Sequence, residues 1–406
     1  MAVGPDSRPD LGPVGGVRLG TAAAGIRGAE DEDLAVIELA PQARTAAVLT
    51  QNRLRAAPVL VTEENLALGR ARLLVINTGT ANAATGPAGL ESARGTCAAA
   101  AEIFGVTPEE VLPFSTGVIG EPLALAAMER GLPACREALR ADAEGWWRVA
   151  DAIRTTDTRP KAACRAVELG GETVTVTGVA KGSGMIHPNM ATMLAFVAMD
   201  APVADTPLWG MLRAAVAESF NRITVDGDTS TNDALTLSAT GAAGIAPIES
   251  PTDPRFSELA GAVAEVCRDL ALAIVRDGEG ATRLLTVRVE GAAEDGEADR
   301  VAEGIARSPL VKTAAFAGDP NWGRILAAAG AALTGEVDWS AVDLHIGGVR
   351  VVRGGVVDPG YTEEAGGQAM AGEEVTLTLD LGRGPGRGWM WTCDLSYEYV
   401  TINAEY

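Results

Sequence analysis

The chain has 406 residues, enough for two or three folding units or one large α/β body. It is 47% hydrophobic and 21% charged, a globular balance with ample core material. Against 33 Lys and Arg stand 54 Asp and Glu, a net charge of −21 that repels phosphate backbones and anionic lipids, so neither a nucleic-acid nor a membrane partner is expected.

No run reaches the roughly 18 apolar residues of a membrane span, and the first fifteen residues lack a charged-then-apolar leader pattern. The five cysteines are scattered without a CxxC, which fits reduced thiols in a cytoplasm. Residues 73–76 are a short apolar run that breaks into a polar, glycine-bearing loop at 77–86. Residues 123–140 are rich in Ala and Leu and predict a helix. The Val/Thr alternation of 173–179 predicts a strand, and the apolar stretch 192–199 a buried one. Residues 207–221 open with Pro and predict a helix. After a Pro/Asp-rich surface connection at 246–254, residues 253–276 put Leu259, Val263, Val266, Cys267, Leu270 and Ile274 on one helical stripe, so Cys267 belongs to the core. Strands are expected at 284–289, 375–381 and 391–401. The segment 291–299 reads as a surface connection that sets off a smaller C-terminal lobe from about residue 290 onward. The GRGPGRG stretch at 382–388 carries two Arg and no repeat, so it reads as a hairpin loop rather than an RNA-binding tail. Together these elements predict an α/β (α+β) layered fold.

His187 and His345 are the two histidines of the chain. A zinc site or a Ser-His-Asp triad would have to use one of them, and His187 beside Pro188 reads as a structural residue. Two histidines in 406 residues favour chemistry that needs no imidazole. Residues 178–196, GVAKGSGMIHPNMATMLAF, place a glycine loop between two strands and open the second with Ala191–Thr192. Many glycine loops precede buried strands for structural reasons alone. The same design also lets the loop bend the Ala191–Thr192 peptide so that the Thr192 hydroxyl attacks the preceding carbonyl. An N-terminal Thr192 would then carry its own base, an α-amine with a reference pKa of about 7.7–8.0. A cation such as Lys181 would lower that value.

The segment GVAKGSGMIHPNMATML (178–194) resembles the cleavage-site signature of the ornithine acetyltransferase, or glutamate N-acetyltransferase, family. The likeness continues through LLVINTGTANAATG (73–86), STGVIG (115–120), TTDTRPK (155–161) and ITVDGDTSTND (223–233). VRDGEGATR (275–283), VKTAAFAGDPNWGRI (311–325) and CDLSYEYVTINAEY (393–406) complete it. The resemblance implies a layered sandwich of the self-processing N-terminal-threonine acetyltransferase type, with autoproteolysis at Ala191–Thr192. An α chain, 1–191, and a β chain, 192–406, would stay associated, and two such pairs would form an α2β2 assembly. Thr192 would be the nucleophile, and Thr116 and Gly117 the oxyanion-hole pair, a role the TGVIG turn suits because Gly117 lets the backbone approach closely. Thr155, Lys181, Thr192, Glu279 and Asn403 would surround the substrate, Lys181 suiting a carboxylate and Glu279 the ammonium end of ornithine. The implied reaction moves an acetyl group from N2-acetylornithine to glutamate through acetyl-Thr192, with no metal or cofactor. Some relatives also accept acetyl-CoA, and nothing in this sequence decides that.

Two departures stand out. Relatives commonly continue past INAEY with two residues, the last a Thr at the substrate, whereas this sequence stops at Tyr406. Thr78, Thr80 and Ala84 also replace Ser, Asn and Cys of the family's first loop. These leave room for a specialised paralogue acting on an arginine-like or ornithine-like intermediate of a secondary pathway. A self-processing aminopeptidase, which passes the acyl group to water, is a second alternative, and an uncleaved binding protein a third. ITVDGDTS also resembles a phosphatase loop, with Asp226 as nucleophile and Asp228 as acid, but no later acidic metal motif follows. As a calcium loop it fails because Thr231 and Leu237 stand where Gly and Glu are needed.

Overall fold

Strands with both faces buried read as unbroken apolar runs, and those of the larger unit do so repeatedly. The computed structural model describes residues 2–4, 8–28, 31–187 and 193–405 and divides the chain into two units. The larger comprises Ser7–Asn221 and Asp228–Ile274. Its strands are β1 (Val17–Ala22), β2 (Leu34–Leu39), β3 (Arg44–Leu49), β4 (Leu73–Thr80), β5 (Val111–Val118), β6 (Lys161–Leu169), β7 (Glu172–Lys181) and β8 (Leu194–Met199). The chain then departs to form β9 (Ile223–Thr224) in the other unit and returns as β10 (Ala234–Ala239). One sheet has the order β1-β2-β4-β5, the other β3-β10-β8-β7-β6.

The period of two sorts each strand of the first sheet between two cores. Leu74 and Ile76 of β4 and Ile37 and Leu39 of β2 face Val179, Leu194 and Phe196 of the second sheet. Leu73 and Val75, with Leu34 and Val36, face the opposite core, which is completed by helices α2 (Gly86–Phe104) and α3 (Leu125–Glu137). Phe114 of β5 meets Phe196 of β8 edge-on, ring centroids 5.0 Å apart, at the centre of the inter-sheet core. Helices α1 (Ala57–Leu68), α4 (Ala143–Ala152), α5 (Asp205–Ala217) and α6 (Phe256–Arg276) complete the unit. Gly178 of β7 lies under α6: a Cβ there would stand 2.9 Å from Val197 Cγ2 and 3.1 Å from Leu270 Cδ1. The mixed α/β architecture is the one expected, and Cys267 is fully buried.

The smaller unit comprises Met1–Asp6, Arg222–Gly227 and Val275–Tyr406. Beside β9 it holds β11 (Leu284–Ala292), β12 (Asp343–Ile346), β13 (Val349–Arg353), β14 (Val356–Val357), β15 (Glu374–Asp380) and β16 (Gly386–Cys393). They form one sheet in the order β14-β13-β12-β15-β11-β16-β9. Helices α7 (Asp295–Ala306), α8 (Pro309–Ala317), α9 (Trp322–Ala332), α10 (Glu363–Ala369) and α11 (Tyr397–Glu405) accompany it. Val301 and Ile305 of α7 pack with Val287 and Val289 of β11 and Leu377 and Leu379 of β15 in a single core.

Several local expectations need correction. Residues 382–388 are not a hairpin: β15 runs parallel to β11 on one side and β16 antiparallel on the other, so the connection crosses the end of β11. The strand expected over 391–401 ends at Cys393, and the rest turns into α11. The connection expected at 291–299 is a short turn between β11 and α7. The loop expected from Asn77 begins only after Thr80, because β4 continues alongside β5. The helix expected over 123–140 narrows to Leu125–Glu137 and accommodates Pro133. No helix among the described residues is long and apolar enough to cross a membrane.

Candidate active site

Lys181 closes β7, and the residue is almost wholly enclosed, 6% exposed. Its Nζ donates to the Thr155 hydroxyl at 2.8 Å, so two of the expected substrate contacts are neighbours. Asp157 anchors this corner. Its Oδ1 accepts from Lys161 Nζ at 2.5 Å and from the Gly182 amide at 2.7 Å, and its Oδ2 from the Thr155 amide at 3.1 Å. Burial alone would push the Asp157 carboxyl up, but Lys161, Lys181 and the Gly182 N–H together hold it well below the usual carboxylate range. The loop leaving β7 is tied here a second time, by the Thr156 and Ser183 hydroxyls 2.7 Å apart. His187 further along is buried.

Thr116 and Gly117 close β5 beside β4. Gly117 stands opposite Gly79 at a register break, with φ 134°. A Cβ at Gly117 would fall 2.2 Å from the Gly79 carbonyl carbon, so glycine is obligatory. The expected turn at TGVIG is therefore the end of a strand, and the close approach expected of Gly117 is made to β4.

Sequence reasoning missed Asn232 and Asp233. Asn232 Nδ2 donates to the Ser115 carbonyl at 2.9 Å and to the Ala81 carbonyl at 2.7 Å, tying the strand that carries Thr116 to the start of β10. Asp233 accepts the Met193 N–H on Oδ1 at 2.8 Å. The available signal was a polar Asn-Asp pair opening an apolar strand. Ala191 and Thr192, the expected scissile pair and nucleophile, lie outside the described residues.

In the smaller unit, the other two expected substrate contacts also meet. Asn403 of α11 donates from Nδ2 to Glu279 Oε2 at 2.6 Å, and Glu279 is 8% exposed. Gly280 beside it has φ 68°, and a Cβ would come within 2.5 Å of Ser396 Oγ, whose hydroxyl donates to the Gly280 carbonyl at 2.6 Å.

The family model described as the ArgJ family matches residues 18–406. A curated relative from Psychrobacter arcticus, the arginine biosynthesis bifunctional protein ArgJ, is 50% identical over the whole of both chains. This chain belongs to the ArgJ family. Two solved structures can be set beside it. The arginine biosynthesis bifunctional protein of Bacillus halodurans shares 43% identity and TM-score 0.49, over 52% of this chain and 98% of that one. The ornithine acetyltransferase of Mycobacterium tuberculosis, solved with ornithine, shares 33% identity and TM-score 0.38, over 44% of this chain and 95% of that one. In this ArgJ-family chain, Asp226, the nucleophile of the phosphatase reading, accepts from the Tyr399 hydroxyl at 3.3 Å. Burial pushes the Cys97, Cys135 and Cys267 thiols up to about 12, so none of these three is an activated nucleophile.

Proposed function

We propose that this chain cleaves itself between Ala191 and Thr192 and then moves an acetyl group from N2-acetylornithine to glutamate on the freed Thr192. The observation that carries the activity is the full-length match to an arginine-biosynthetic ArgJ protein at 50% identity. Membership of that family makes the chain an acyltransferase of arginine biosynthesis with small amino-acid substrates. The mature enzyme is then an α chain, 1–191, and a β chain, 192–406, paired as α2β2 in the cytoplasm, the β chain including a smaller C-terminal lobe.

The geometry supports particular roles. Once Thr192 is an N-terminus, its amine takes the hydroxyl proton while Oγ attacks the acetyl carbonyl. Lys181, a buried ammonium beside the Thr155 hydroxyl, is disposed to bind a carboxylate and to hold the amine unprotonated. The Thr116 hydroxyl and the Gly117 N–H suit the oxyanion, where a preorganised donor contributes about 3–4 kcal/mol. Glu279, oriented by Asn403, suits the ammonium end of ornithine. Ornithine leaves, glutamate enters, and acetyl-Thr192 passes its group on, which gives ping-pong kinetics. A Thr192→Ala variant should remain one polypeptide on a denaturing gel and transfer no acetyl; splitting at the same bond would overturn this reading. Acetylornithine supplied without glutamate distinguishes the aminopeptidase-like alternative, which would release acetate regardless.

A further inference from the structure

The mature mechanism uses the Thr192 amine as base, but that base does not exist when the chain first cuts itself. In the precursor the Thr192 nitrogen is an amide and accepts no proton. Another group must remove the hydroxyl proton as Oγ attacks the Ala191 carbonyl.

Asp233 has the placement for it. It is 1% exposed and directly precedes β10. Leu194 of β8 pairs with Ala234 of β10 on one side and Lys181 of β7 on the other, so Asp233 lies level with Met193. Its Oδ1 holds the Met193 N–H at 2.8 Å. That amide is the bond joining Thr192 to Met193, so one residue separates it from the Ala191–Thr192 peptide. Among the described residues, no donor reaches Oδ2 in hydrogen-bonding geometry. An unsatisfied buried acceptor is costly and asks for a reason.

We infer that Asp233 carries the proton in self-cleavage. The inference rests on Thr192 being the attacking residue. Oδ2 takes the Thr192 hydroxyl proton as Oγ bonds to the Ala191 carbonyl carbon. It returns the same proton to the Thr192 nitrogen as the carbon–nitrogen bond breaks. The result is an ester between Ala191 and Thr192 and a free amine. Water then splits the ester into the Ala191 carboxylic acid and the Thr192 hydroxyl, and Asp233 is unchanged.

The surroundings suit a group that both takes and gives a proton. Burial raises the Asp233 carboxyl well above its ordinary range, and the Met193 N–H, the Lys181 charge and the nearby Ser230 hydroxyl offset this only in part. An acid moved toward the working pH is the more effective proton carrier. Lys181 is the charged group facing it from β7. The other flanking strands bring Met193 and Leu194 on β8 and Leu49 and Thr50 at β3, none of them charged.

The test follows cleavage of freshly translated precursor across about pH 6 to 9. Asp233→Asn keeps an oxygen for the Met193 N–H but cannot titrate. It should slow cleavage roughly 100-fold and leave the residual rate flat with pH, where wild type rises. Asp233→Glu should recover part of the rate together with its pH dependence. An Asp233→Asn precursor that splits at the wild-type rate overturns the inference. So does one slowed by the same factor at every pH, which a merely structural role would produce. Thr192→Ala in parallel separates the premises: if it also splits, the assignment of Thr192 fails, whatever Asp233 does.

Discussion

Asp157 shows how single residues set the site. It lies beneath Lys181 and Thr155 and neutralises Lys161, both partners being enclosed. Removing one member of such a pair leaves a charge buried without compensation, which costs about 3–5 kcal/mol. Asp157→Asn should therefore lower stability by that order in chemical denaturation and weaken substrate binding by loosening Thr155. The pH dependence has a definite sign. A carboxyl held below its unfolded value, about 3.9, stabilises the fold at neutral pH. That contribution is lost as pH falls from the unfolded value toward the lower folded one. Denaturation midpoints measured from about pH 7 down to pH 3 should fall more steeply for wild type than for Asp157→Asn. Lys181 and Thr155 were recognisable because they sit in family motifs. The TTDTRPK block does not say which carboxylate will be enclosed, since enclosure comes from β6 and β7 folding over it.

At the scale of elements, the register break between β4 and β5 is the most constrained feature of the site. Gly117→Ala adds a Cβ against the Gly79 backbone in a backbone conformation that L side chains rarely adopt. The backbone strain alone costs of order 1–3 kcal/mol. The variant should be less stable in denaturant by at least that amount, and what folds should lose acetyl transfer through a lower kcat more than a higher KM. Gly117 was visible as a position of close approach, but its neighbour was not, because strand pairing is a long-range property. Conversely, the Tyr, Val and Thr of residues 397–401 read as strand, yet they form part of α11. β propensity is a weak preference that tertiary packing overrides, and in α11 Asn403 turns back to Glu279.

At the scale of the whole molecule, the smaller unit gathers three separated pieces of chain. β9 enters its sheet by pairing in parallel with β16, far away in sequence. Intact-protein mass after incubation with acetylornithine should show two polypeptides, with one acetyl group on the piece that begins at Thr192. An acetyl on the other piece, or none on either, would contradict the proposed intermediate.

What the sequence determined by itself is local or motif-borne: the mixed α/β class, the helical stripe that buries Cys267, and the ordered motifs that mark the family. These depend on backbone sterics, on hydrophobic period and on ordered motifs, all of which can be read along the chain. Tertiary structure alone decided that 382–388 crosses β11, that Asn232 ties β5 to β10, and that Asp233 lies against the amide following Thr192. Such contacts depend on which distant strands pair and in which register, and neither quantity is written in any single segment.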